Sequence, residues 1–146
     1  MKTVAGWTAA LAMLGTPALV MAADYDPCRN PGDRRIAVVY TRDGGGDCKG
    51  RVVPEKKVVC AGDLVQWSVV NTCDLEAVQD IRIEGLERVV EKCSAVRRLD
   101  VGGADQIRCR VRRGLREDVK QEYEVTGRLG KSKLVIDPEL DIHRPR

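Results

Sequence analysis

Phenylalanine is absent from this chain of 146 residues, histidine occurs once, and the aromatic residues amount to 3 tyrosines and 2 tryptophans. None of the 6 cysteines is spaced Cys-x-x-Cys. Each absence excludes a class of function. One histidine cannot build a multi-imidazole metal site or an easily recognised acid–base set. So few aromatics leave little surface for stacking bases or sugars, which argues against nucleic-acid binding and against a glycosidase. Without Cys-x-x-Cys, neither a thioredoxin-like redox pair nor a zinc knuckle has its usual local geometry. Charge of one sign is lacking too: 25 Lys+Arg against 22 Asp+Glu gives +3, too balanced to make polyanion binding the default reading.

What is present begins with a leader. Residues 1–22 carry Lys2, an apolar run from Val4 to Gly15, a break at Pro17 and a Val20-Met21-Ala22 end. Together these read as a cleaved secretory signal. The run is too short to span a bilayer, and nothing later is apolar enough to insert into one, so no membrane insertion is expected. All three methionines (Met1, Met13 and Met21) and Trp7 leave with the signal. Residues 23–146 then suit one domain with one core, secreted and, on this simple signal, periplasmic.

Cys28, Cys48, Cys60, Cys73, Cys93 and Cys109 all lie beyond the signal, an even set in an exported chain where thiols are oxidised. Three structural disulfides are expected, acting as covalent rivets between facing β layers, with their pairing left open. The alternative keeps some cysteines as thiols in a metal- or redox-handling protein.

Along the rest of the chain the apolar pattern has mostly period two. Ile36, Val38 and Tyr40 alternate with their neighbours up to the Gly44-Gly45-Gly46 loop, and Val65, Trp67 and Val69 share one face of LVQWSVVN. Ile107, Cys109 and Val111 alternate with Arg108, Arg110 and Arg112, which puts the cysteine inward and the arginines outward. Further short runs at Val52-Val53, Val58 to Cys60, Ile81 and Ile83, Tyr123 and Val125, Leu134 to Ile136, and Leu140 and Ile142 bring the count to about eight strands. Leu86, Val89, Val90, Cys93 and Val96 instead recur at spacings of three and four, which predicts a short helix or ordered crossover over 86–95. The fold class is all-β, with two packed antiparallel sheets and at most one short helix.

Residues 58–71 (VVCAGDLVQWSVVN) and 101–111 (VGGADQIRCRV) resemble the cupredoxin family, in which a Gly-Asp turn leads into a Val-x-Trp strand and a Gly-rich turn precedes a cysteine-bearing strand. The resemblance spans roughly residues 52–142 and implies a Greek-key sandwich. It does not carry copper with it. A blue-copper centre needs two imidazoles, a thiolate and usually a weak thioether. Residues 72–80 (TCDLEAVQD), where the first histidine belongs, contain none, and no histidine or methionine follows Cys109 at the family's spacing. No cofactor is expected. An immunoglobulin-like sandwich is the competing topology, because Cys60, Trp67 and Cys109 mimic its cysteine–tryptophan–cysteine order. The step from Cys60 to Trp67 is short for that pattern, and Ile107 occupies its tyrosine position.

Other motifs read as ordinary structure. Gly130-Lys131-Ser132 lacks the earlier glycine of a phosphate loop, since Val125 stands there, and it reads as a hairpin turn. Asp43 and Asp47 around the triple glycine lack calcium-loop spacing. His143, in the terminal HRPR, reads as a solvated tail residue rather than a catalytic base. Paired carboxylates are expected somewhere among 22 acids, and a deep cleft with convergent acids would favour an enzyme.

The most distinctive surface feature is Arg108, Arg110, Arg112, Arg113 and Arg116. Rows of guanidinium groups suit phosphate or carboxylate arrays, so an unknown protein or anionic ligand could dock there. The plainer expectation is a solvated strand face that cross-pairs with acids on a neighbour such as Glu122 or Glu124, or that guards an exposed edge. The reading as a whole is an exported, non-enzymatic β-sandwich that serves as a binding or structural module.

Overall fold

The computed structural model describes residues 26–29 and 34–145. The leader expected over 1–22 lies outside them. Alternation of β-branched and polar residues builds eleven strands: β1 Arg35–Arg42, β2 Cys48–Val53, β3 Lys56–Cys60, β4 Leu64–Asn71, β5 Val78–Glu84, β6 Val96–Leu99, β7 Ala104–Arg110, β8 Val119–Glu122, β9 Glu124–Leu129, β10 Ser132–Ile136 and β11 Glu139–His143. They form sheets of order β2-β1-β4-β7, β10-β9-β5-β6 and β3-β11-β8. The two four-stranded sheets meet at both edges, β2 beside β10 and β7 beside β6. Their inward residues make one core around Trp67, Tyr40, Ile36, Ile81 and Ile107, all essentially inaccessible to solvent.

The three-stranded sheet continues the second layer past a bend. β8 runs into β9 with only Tyr123 between, and β10 runs into β11 through Asp137 and Pro138. At the bend Tyr123 N–H donates to the Pro138 carbonyl at 3.0 Å, and Glu139 N–H donates to the Glu55 carbonyl at 2.8 Å. The sandwich is therefore all-β, as expected, but with eleven strands among the described residues rather than about eight. The extra ones are the short β6 and β8, which carry too few apolar residues to announce themselves. Nor is pairing antiparallel throughout: β1 lies parallel to β4, and β3 parallel to β11.

The segment over 86–95 is not a helix. Leu86 closes a single turn by accepting from Val89 and Val90 N–H, and the chain then runs extended along the edge of β7. Glu91 and Ser94 N–H donate to the Arg110 and Arg108 carbonyls, Arg112 N–H donates to the Val89 carbonyl, and Val90 bridges Val111. Satisfying the otherwise open edge of β7 outweighs helical periodicity here.

All six cysteines are paired, Cys28–Cys60, Cys48–Cys73 and Cys93–Cys109, with Cα–Cα separations of 5.7, 6.0 and 4.4 Å. In each pair one partner lies on a strand (Cys60, Cys48, Cys109) and the other on a non-strand segment. The bridges are thus not rivets between layers: each ties a non-strand segment to a strand. The Cys60–Cys109 bridge of an immunoglobulin pattern is not formed. Three such cross-links indicate an oxidising, extracytoplasmic setting, and no helix among the described residues is long and apolar enough to cross a membrane.

Candidate functional site

Strand alternation gives the β2-β1-β4-β7 sheet an outer face, and the register orders its residues into cross-strand rows. At one end stand Leu64 beside Arg110, then Arg35, Gln66 and Arg108. The next row is Val53, Ala37, Ser68 and Gln106, and towards the other end comes Arg51, Val39, Val70 and Ala104. Lys49 beside Thr41 closes the other end. The inward partners of these positions, such as Val38, Val65 and Ile107, are buried. Among the described residues the outward positions of these strands hold five cations and no Asp or Glu. A solvated sheet face usually mixes signs or polar types. Here small and aliphatic residues fill the centre, and Val53 (51% exposed) and Leu64 (45%) stay open to water.

The five arginines singled out in the sequence divide. Arg108 and Arg110 lie on this face, whereas Arg112, Arg113 and Arg116 follow the end of β7 and leave it. None is neutralised by Glu122 or Glu124, because those glutamates sit on or beside β8 and β9 in the other layer. Arg108 donates to Gln106 Oε1 at 2.7 Å, Arg110 to the Gly62 carbonyl at 3.1 Å and Arg112 to the Glu87 carbonyl at 3.2 Å. Arg113 lays its stem over the Gly62 turn, where φ is +90° and a Cβ would come within 3.3 Å of Arg113 Cγ. Arg116 offers its carbonyl to Arg144 Nη1. Sequence reasoning missed Arg35, Lys49 and Arg51. Alternation within β1 and β2 could have shown that they point outward, but only the strand order places them beside Arg108 and Arg110.

A second feature lies at the seam. A cleft of about 790 Å³ is lined by Glu55, Glu84, Glu122, Glu124, Asp137 and Glu139, with Lys56 as its one cation and Tyr123 and Pro138 among its walls. The strand breaks create it, since each interrupted strand contributes an acid at its end. Lys56 Nζ stands 2.6 Å from Glu139 Oε1, and that hydrogen bond holds the Glu139 carboxyl below its usual range and raises the Lys56 ammonium. Such a cleft is the polar, acid-lined opening that an enzymatic reading requires. A carboxyl that serves as a general acid is pushed upward, and Lys56 moves Glu139 the other way, which suits it to an ionised role.

His143 is not in a solvated tail. It ends β11 opposite Cys60, and its ring lies between Asp118 (Nδ1 to Oδ2, 3.1 Å) and Asp141 (Nε2 to Oδ1, 3.3 Å). Parallel pairing with β3 anchors it there. Asp118 also accepts from Arg144 N–H, which with the nearby imidazole keeps its carboxyl below the usual value. Both ring nitrogens face aspartates, so the cluster clasps the last described strand. Among the described residues no group of three or more His, Cys, Asp or Glu side chains is placed to hold a metal ion. Gly130 and Lys131 form the tip of the β9–β10 hairpin, and residues 43–47 the tip of the β1–β2 hairpin, as their sequences indicated.

No protein-family profile and no curated protein sequence matches the chain. Among solved structures it is similar to the one titled "Crystal structure of Lac15 from a marine microbial metagenome", at 13% identity and a TM-score of 0.42, over 78% of this chain and 34% of that one. The chain thus spans about a third of that protein's length. A TM-score at this level is too low for a shared topology to follow, and nothing of that protein is carried over.

Proposed function

We propose that this is an exported, periplasmic and non-enzymatic β-sandwich, similar to a cupredoxin without copper, that serves as a binding module for an anionic ligand or partner. One observation carries the binding role: the outer face of the β2-β1-β4-β7 sheet has cations at both ends and no carboxylate among its described outward positions. Burial of opposite charge against such a face is favoured, and guanidinium groups suit carboxylate and phosphate oxygens in particular. The copper-free reading is supported by ligand count. Cys109 is in a disulfide and His143, the one histidine, lies between two aspartates.

The test is retention of the protein on immobilised poly-L-glutamate. Wild type is retained at low salt, and Arg108→Glu with Arg110→Glu releases it; retention unchanged by the double reversal removes the reading. Addition of copper(II) should produce no blue thiolate absorption. Hydrolysis at the seam is the second reading, favoured by its six carboxylates. It would require Glu139→Gln to abolish a turnover that the double reversal of Arg108 and Arg110 leaves intact.

A further inference from the structure

We propose that the basic sheet face is a peripheral docking surface for an anionic lipid bilayer, held by headgroup phosphates without insertion. This rests on the reading of the face as the binding surface and names its partner. With strands about 4.8 Å apart, the four strands span roughly 15 Å, the footprint of several headgroups. The cations stand at its two ends, with Arg108 and Arg110 at one and Arg51 and Lys49 at the other. Among the described residues Arg51, Arg108 and Arg110 meet no carboxylate, and Lys49 stands 4.0 Å from Asp43 with both side chains largely exposed. These charges are left for an external anion.

The centre of the face separates a lipid surface from an acidic protein. Tight protein interfaces depend on large anchors, aromatic above all, seated in pockets. Here Ala37, Val39, Ser68, Val70 and Ala104 present small side chains, and the cavities at the seam, beside Cys93 and near Asp80 are lined by none of them. A bilayer surface needs neither anchor nor pocket, because its attraction is summed over dispersed cations and is screened by salt. Val53 and Leu64 are the large apolar residues that the face exposes. Absence of a tryptophan or tyrosine from these outward positions fits adsorption rather than penetration.

The experiment is co-sedimentation of the exported chain, residues 23–146, with vesicles of phosphatidylcholine alone and of phosphatidylcholine mixed with phosphatidylglycerol. Binding is expected only to the mixed vesicles, weakening by about tenfold from low to high salt. Arg108→Glu with Arg110→Glu should lower it by a further tenfold or more on the same per-charge scale. Arg51→Glu, at the opposite end of the face, gives a second reading should the double variant fail to fold, which the Trp67 emission reports. Arg98→Glu, on β6 and paired with Asp100 at 2.7 Å, should leave binding unchanged. Equal binding to both vesicle types, or equal loss in Arg98→Glu, overturns the proposal. Retention on poly-L-glutamate without vesicle binding removes the bilayer and keeps the face; loss of both removes both.

Discussion

Trp67 Nε1 donates a hydrogen bond to Tyr123 Oη at 3.0 Å, and the two rings meet edge to face with centroids 5.8 Å apart. Trp67 belongs to β4 in one layer, and Tyr123 sits where β8 passes into β9 in the other. With no disulfide crossing between the layers, this pair is a polar link through the core, alongside the hydrogen bond from Asn71 on β4 to the Leu99 carbonyl on β6. Tyr123→Phe leaves the indole N–H buried without a partner, and equilibrium unfolding should show a loss of about 1–3 kcal/mol. An unchanged midpoint would mean that the bond contributes nothing beyond ring packing.

Burial pushes the phenols of Tyr40 and Tyr123 up to about 12 from 10.0, in Tyr123 despite the Trp67 hydrogen bond that opposes the shift. Because the folded value lies above the unfolded one, the stability these neutral phenols contribute is complete below pH 10. It is lost as pH rises toward 12, where the unfolded chain releases its protons first. Tyrosinate absorbance from these two residues should therefore appear together with unfolding. Smooth ionisation near pH 10 in a folded protein would contradict their burial.

The segment paired with β7 is held at Cys93–Cys109, a loop of sequence separation 16. Cys93→Ser with Cys109→Ser should lower stability by about 3 kcal/mol on chain-entropy grounds. The local signature is sharper. Glu91, Ser94 and Arg112 N–H lose protection in hydrogen exchange, since their bonds to β7 and Val89 depend on that tether. Protection retained at all three would show that edge pairing alone suffices.

Asn71 is fully buried at the end of β4 and serves three backbone groups: its Nδ2 donates to the Glu76 and Leu99 carbonyls, and its Oδ1 accepts from Cys73 N–H. Asn71→Ala strands all three, which should cost about 3 kcal/mol in chemical denaturation. Asn71→Asp keeps the acceptor and turns a second oxygen toward two carbonyls, so it should be no better. Wild-type stability in either variant would mean that water replaces the amide.

At the last strand, Asp118 is held below its usual 3.8 first by the Arg144 N–H and then by His143. A depressed carboxyl contributes stability that is present above 3.8 and lost as pH falls through the lower folded value. The Arg144 amide should lose its protection only in that acid range. Asp118→Asn, which retains an acceptor oxygen, should remove the acid transition while leaving β11 paired at neutral pH.

Much of the sandwich was legible because alternation is a local property. Trp67 with Val65 and Val69, and Cys109 with Ile107, point inward as the sequence indicated, for a strand exposes opposite faces at successive residues. The segment over 86–95 misled because its spacing of three and four is also what a turn followed by an edge strap produces, and nothing local reveals that β7 needs a partner. His143 misled for a similar reason: only parallel pairing with β3 turns a near-terminal residue into a clasped one.

The residues alone determined that the chain is β-rich, that its cysteines can pair off, that it lacks a copper ligand set, and that Arg108 and Arg110 face away from the core. Tertiary structure decided which cysteines pair, where long strands break to open the acidic seam, and that Arg35, Lys49 and Arg51 share a face with Arg108 and Arg110. Side-chain direction follows from neighbouring peptide units, whereas strand order follows from how the whole apolar surface is buried at once, and no short stretch of sequence carries that information.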